Sequence, residues 1–133
     1  MKKYKVGIVG CGTVSHAHMH AYQSVPATHV VAITDIQEEN LRKSSEEYKI
    51  SAVYRDYKEM LDKEELDILS VCTLADSHCE ITVAAAQKGI HVLCEKPMAL
   101  DLAEADLMID VYEKSGVKLA VDHHRPAITK RSS

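Results

Sequence analysis

Several things are missing from this sequence, and each absence narrows the reading. Its four cysteines (Cys11, Cys72, Cys79 and Cys94) include no CxxC pair, and a chain with apolar residues enough for a core needs no disulfide framework. All four therefore read as free thiols, buried or half-buried, in a cytoplasmic protein. No apolar window approaches the length of a membrane span. The opening MKKYKVGIVGCG sets lysines ahead of an apolar stretch, but Gly7, Gly10 and Gly12 interrupt it well short of a secretory core. Basic charge is not in excess either. Lys and Arg total 16 against 20 Asp and Glu, a formal net charge of -4, so nothing argues for nucleic acid or an anionic membrane as partner. Repeats and low-complexity tracts are also lacking.

What remains is ordinary globular material. A chain of 133 residues suits one domain, which at this size buries roughly two-thirds of its unfolded surface. Short runs rich in Val and Ile alternate with helical patterns. The runs are YKVGIV (4–9), HVVAIT (29–34), AVY (52–54), DILSVC (67–72), HVLC (91–94) and KLAVD (118–122). Several are continuously apolar, as strands covered by helices on both faces should be. Helical patterns lie near 14–24, 37–48, 57–62, 78–88 and 102–115. Asp56–Glu59, Ser77–Glu80 and Asp101–Glu104 each put a capping side chain three residues ahead of a glutamate, the capping-box spacing. Gly89 and Gly116 fall where a left-handed residue should end a helix. Strand–helix alternation with short connections predicts an α/β protein: a Rossmann-type, doubly wound parallel sheet of about six strands with helices on both faces.

Within GIVGCGTVS, Gly10, Gly12 and Ser15 occupy the three small-residue positions of G-x-G-x-x-G/A. The spacing alone is a weak signal. Here a strand precedes it, a helix follows, and Asp35 ends the next strand 20 residues after Ser15, as in a dinucleotide-binding βαβ unit. Gly10 permits the tight turn, and Gly12 lets backbone N–H groups approach a pyrophosphate at the positive end of the helix. Ser15 replaces the usual third Gly or Ala. Asp35 can accept hydrogen bonds from the adenosine ribose hydroxyls, while its charge repels a 2′-phosphate. The next residue, Ile36, offers that phosphate no cation, so NAD is expected rather than NADP. The bland alternatives are a Rossmann-like domain without nucleotide, or one holding the adenosyl part of a methyl donor.

A second motif, CEKP at 94–97, follows the run 91–94 at the carboxyl end of a predicted strand, where open α/β sheets bind ligands. The glycine turn, the acidic strand end, VCTLADSHCEI and HVLCEKPMAL, in this order, resemble the N-terminal domain of the glucose-fructose oxidoreductase / inositol dehydrogenase / MocA family. The resemblance runs from Lys5 to Asp122. It implies an NAD(P)-dependent oxidoreductase acting on a sugar, cyclitol or related polyol. It places the family's substrate-orienting lysine, which polarises the substrate oxygen, on Lys96. Its cofactor contacts fall on Gly10, Gly12, Thr13, Val14, Asp35, Thr73, Leu74, His78, Glu95, Lys96 and Pro97. In the family's T-P-N-x-x-H element, Leu74 and Ala75 stand where Pro and Asn are usual.

Residues 1–122 are thus expected to form the dinucleotide-binding domain, and 123–133 a linker or tail. Family members continue into an α+β domain with the substrate pocket and a catalytic histidine, and this chain stops as that domain should begin. A lysine near its reference pKa of about 10.4 is a poor general base at neutral pH, and hydride transfer needs the substrate held away from water. The chain alone is expected to bind cofactor and to turn over slowly or not at all. A substrate partner then requires a second domain. The alternatives are a stand-alone nucleotide-sensing module, or a self-associating module whose apolar face lacks its cover.

His16, His18 and His20 alternate along the first helical pattern, with His16 and His20 one turn apart on a face that can hold a metal. No further ligand is spaced to complete such a site. The three are expected to be surface or packing residues, and no metal is expected. The family commonly has a histidine at the position of His18.

Overall fold

The computed structural model describes residues 3–73, 75–95 and 102–122. Strands and helices alternate: β1 (Tyr4–Val9), α1 (Thr13–Gln23), β2 (Thr28–Thr34), α2 (Glu38–Tyr48), β3 (Ala52–Tyr54), α3 (Tyr57–Lys63), β4 (Ile68–Val71), α4 (Ala75–Gln87), β5 (His91–Glu95), α5 (Leu102–Ser115) and β6 (Leu119–Asp122). The six strands form one sheet in the order β3-β2-β1-β4-β5-β6, and every pairing is parallel. This is the doubly wound order in which the chain reverses direction across the sheet between β1 and β4.

The sheet separates two cores. Successive strand side chains point to opposite faces. On β1, Val6 and Ile8 join Met19 of α1, Ile33 and Leu41 of α2 in one cluster. Val9 belongs to the other, with Met60, Leu69, Val71, Ile81 of α4 and Met108 of α5. Each fully buried aliphatic side chain, such as Ile8 or Leu69, contributes about 1.5–3 kcal/mol of transfer free energy. Residues continuously apolar in sequence are covered on both sides, as expected for a parallel sheet.

Most boundaries fall within two residues of the sequence expectation, and the exceptions are local. Asp56 caps α3, its side chain accepting from the Lys58 N–H at 2.9 Å. Ser77 does not cap α4. That helix already starts at Ala75, and the Ser77 hydroxyl donates to Thr73 Oγ1 at 2.8 Å, so the SHCE spacing sits inside the first turn. The cap expected at Asp101 lies outside the described residues, as does the tail 123–133. Gly89 (φ +75°) and Gly116 (φ +79°) are left-handed, as expected. At the end of α2 the same conformation falls on Lys49 (φ 58°), where no glycine announced it. Among the described residues no helix is long and apolar enough to cross a membrane.

Candidate dinucleotide-binding site

β1 and β4 leave the sheet side by side, and the connections after them turn to opposite sides of the strand order, which opens a crevice at their carboxyl ends. The glycine turn enters that crevice. Gly10 has φ +96°, and a Cβ there would lie 3.0 Å from the Cys72 carbonyl carbon and oxygen. Its N–H donates to Thr34 O at 2.7 Å, while Cys72 N–H donates to Val9 O at 2.8 Å. The fold itself therefore demands glycine at position 10. Gly12 is different: its φ of -81° suits any residue, and a Cβ would meet nothing within 4 Å. A side chain there would fill the open cradle in front of α1.

That helix begins at Thr13 with no side-chain cap and no acidic residue in its first turn. Its leading N–H groups and positive end are left to an anion. Ser15 fits the third small position without cost, because its buried hydroxyl donates to Gly12 O at 2.6 Å and braces the turn from within.

Asp35, at the exit of β2, is stitched to this turn. Its Oδ2 accepts from the Cys11 N–H and its Oδ1 from the Gln37 N–H, each at 2.7 Å. Two carboxylate oxygens have about four acceptor sites, so capacity for hydroxyl donors remains. Burial, followed by the neighbouring Asp35 charge, pushes the Cys11 thiol up to about 12. One cation lies closer to Asp35 than the chain order implied. Arg55 donates to Ile36 O from Nε at 3.1 Å and from Nη2 at 2.7 Å. Sequence reasoning missed it because β2–β3 pairing, Thr34 against Tyr54, carries it there from 19 positions away.

A cavity of about 710 Å³ unites these features. Gly10, Gly12, Asp35, Arg55, Thr73 and Ser77 line it, with Tyr57, Lys58 and Glu80 on its α3–α4 side. Tyr57 donates to Glu80 at 2.5 Å, closing that wall. Of the residues expected at a cofactor, His78 is not on the lining. It is 1% exposed and lies beneath, its Nε2 donating to Thr73 O at 2.7 Å and its Nδ1 3.1 Å from the Cys94 thiol. Burial, then the Glu95 charge, pushes that thiol up to about 12, so it stays protonated. Glu95 is buried and paired with His18. Val14 is exposed on α1 and away from the lining, and Thr13 opens that helix. Leu74, Lys96 and Pro97 lie outside the described residues.

The three histidines go to two places, His18 inward to Glu95 and the other two to one tyrosine. His16 meets the Tyr48 hydroxyl at 2.5 Å and His20 stands edge-on to the same ring, so these two residues, one turn apart, make an aromatic contact between α1 and α2. Among the described residues no group of three or more His, Cys, Asp or Glu could hold a metal ion.

Comparison with known proteins agrees with this geometry. A family model described as an oxidoreductase family with an NAD-binding Rossmann fold matches residues 4–123. The D-apiose dehydrogenase of Paraburkholderia graminis is 37% identical over 131 residues, covering 96% of this chain and 35% of the relative. The myo-inositol 2-dehydrogenase of Thermotoga maritima is 31% identical, covering 91% of this chain and 36% of the relative. Among solved structures, the WlbA dehydrogenase of Bordetella pertussis in complex with NADH and UDP-GlcNAcA superposes with a TM-score of 0.86 at 30% identity, over 91% of this chain and 36% of that one. An oxidoreductase of Agrobacterium radiobacter in complex with NAD+, L-tartaric acid and magnesium gives 0.88 at 26% identity, over 90% and 35%. The chain thus spans about a third of the length of the relatives it matches.

Proposed function

We propose a function from one premise: the chain belongs to the oxidoreductase family with an NAD-binding Rossmann fold. In this reading it is the cofactor-binding part of a dehydrogenase that moves hydride between a nicotinamide cofactor and a sugar, cyclitol or related polyol. The observation that carries it is the joint made by Asp35 and the glycine turn. The carboxylate holds the Cys11 N–H while Gly12 leaves the space before α1 open. The residues present fit the cofactor on that account. N–H groups at the start of α1 would hold the pyrophosphate, Asp35 the adenosine ribose hydroxyls, and Thr73 the wall beyond.

The bound cofactor supplies the hydride acceptor. Everything else falls to the protein. Lys96, next in sequence after Glu95, takes the substrate-side role of orienting and polarising the reacting oxygen. Asp35 favours NAD, because a 2′-phosphate would meet its charge. Turnover also requires the substrate to be held against the nicotinamide with water excluded. The four free thiols support a cytoplasmic setting.

Calorimetric titration of NAD and NADP into the chain, alongside Asp35→Ala, tests the reading. NAD should bind more tightly than NADP, and Asp35→Ala should weaken NAD by about tenfold or more, the loss of charge-assisted hydrogen bonds. Absence of binding by either cofactor would overturn it.

A further inference from the structure

We propose that His18 and Glu95 are positioning residues: their buried pair ties α1, which starts on the glycine turn, to the exit of β5, and so fixes the backbone from which Lys96 follows. For what Lys96 does, this rests on the reading above; for what the pair does to the backbone, it stands on geometry alone.

His18 is 3% exposed on α1, and Glu95, the last residue of β5, is 6% exposed. The imidazole Nε2 meets Glu95 Oε2, and Nδ1 lies 3.0 Å from Ser70 Oγ on β4. One turn further along α1, the Tyr22 hydroxyl is 2.6 Å from the same Ser70 oxygen. A polar row therefore crosses from helix to sheet at this end of the strands. Packing does not require it. Met19, beside His18, already supplies apolar contact with Ile8 and Ile33, and buried ion pairs exchanged for apolar groups of similar volume often leave stability unchanged or improved. What apolar contact cannot supply is direction. An imidazole engaged at both nitrogens sets the height and rotation of the carboxylate it holds, because hydrogen bonds are directional and dispersion is not. Neither residue is among those lining the cavity of about 710 Å³.

The test is amide hydrogen exchange, followed by NMR, on the 133-residue chain and four variants. His18→Leu removes the polar head, while His18→Gln and Glu95→Gln keep one. Met19→Ala damages the same helix–sheet contact without touching the row. Exchange at Cys94 and Glu95 should rise at least about tenfold in His18→Leu relative to Val6 and Ile8 in the sheet centre, and no more than about threefold in the glutamine variants. Met19→Ala should raise all of these sites together. The wild-type chain should also show a strongly downfield His18 ring proton that disappears in Glu95→Gln, a signature that space-filling alone does not produce. Should His18→Leu fail to fold, the ring proton and the two glutamine variants decide the matter. A uniform rise in every variant, or no local change at Glu95, overturns the proposal. Cofactor titration separates the two ideas. Local loosening without NAD binding keeps the pair and discards the functional reading, and NAD binding with unchanged exchange does the reverse.

Discussion

On the β1–β2–β3 side of the crevice, the groups that line the cavity include the glycine turn and the Asp35 carboxylate, with Arg55 beyond β3. On the β4–β5 side the polar groups face each other instead. His18 holds Glu95, and His78 holds Thr73 from beneath while meeting the Cys94 thiol. In the proposed reading the first side displays its groups to the ligand, and on the second the buried pairs anchor the wall to which Thr73 and Ser77 belong. Both nonetheless set a buried thiol beside a carboxylate, Cys11 by Asp35 and Cys94 by Glu95. The same physics, a desolvated acid that must find donors, thus serves display on one side and anchorage on the other.

The largest effect should come from the anchored side. Glu95→Ala removes the carboxylate from the buried His18 ring and should cost about 3–5 kcal/mol. Asp35→Ala leaves two backbone donors without their acceptor, Cys11 N buried and Gln37 N part-buried, and should cost about 1–3 kcal/mol. Urea unfolding of the two variants measures the gap. Equal losses would remove the distinction drawn here between display and anchorage.

The two glycines sharpen the comparison within the display side. Gly10→Ala forces a side chain into a left-handed residue and against the Cys72 carbonyl, at about 1–3 kcal/mol of stability. Gly12→Ala keeps an ordinary φ and open space, so it should fold within about 1 kcal/mol of wild type. Its NAD affinity should still fall by about tenfold, because the added methyl occupies the cradle before α1. Stability by unfolding and affinity by calorimetry should therefore separate in Gly12→Ala and fall together in Gly10→Ala. If Gly12→Ala binds NAD as the wild type does, the cradle is not where the pyrophosphate sits.

This division also explains what the sequence could reveal. The βαβ unit was legible because glycines, helix start and acidic strand end lie on one continuous stretch, where spacing is geometry. All six strands were legible because parallel strands buried on both faces need unbroken apolar runs. Arg55 was hidden because strand pairing carries it to Ile36. The His18–Glu95 pair was hidden further, since 77 positions separate its members; Glu95 reads in sequence as a cofactor contact and His18 as a surface or packing residue. The histidine spacing was a true signal of one helix face, but that face meets Tyr48. At Ser77 the capping spacing misled because α4 starts earlier, at Ala75, and the Ser77 hydroxyl donates to Thr73 instead.

The paired thiols give a pH test covering both sides at once. Each has an ordinary value of 9.0 and is pushed up to about 12, chiefly by burial and then by the adjacent carboxylate. A raised folded value means that the unfolded thiol loses its proton first. Stability from this source is therefore complete below pH 9 and is lost as pH rises toward 12. The slope is about 1.4 kcal/mol per pH unit for each thiol once the unfolded form is ionised. Urea unfolding at pH 8, 9.5 and 10.5 should show the decline, and Cys11→Ala or Cys94→Ala should each reduce the slope by a similar amount. A flat profile would mean that one or both thiols reach water in the folded state.

The smallest effect concerns Arg55, the cation that strand pairing brings beside the acidic strand end. Its guanidinium is exposed and donates twice to the Ile36 carbonyl, so Arg55→Ala should change stability by no more than about 0.5 kcal/mol. Its consequence is for discrimination between cofactors. Asp35 repels a 2′-phosphate, and a positive charge one residue beyond offsets part of that repulsion. Removing it should lower NADP affinity by about threefold while leaving NAD within about twofold, and the difference should grow at low salt, where the Debye length exceeds the roughly 8 Å of physiological solution. Calorimetry of both cofactors at two salt concentrations decides between roles. Loss confined to NADP makes Arg55 an electrostatic counterweight to Asp35, an equal loss of both cofactors makes it a wall of the adenosine pocket, and no loss of either places the adenosine away from β3.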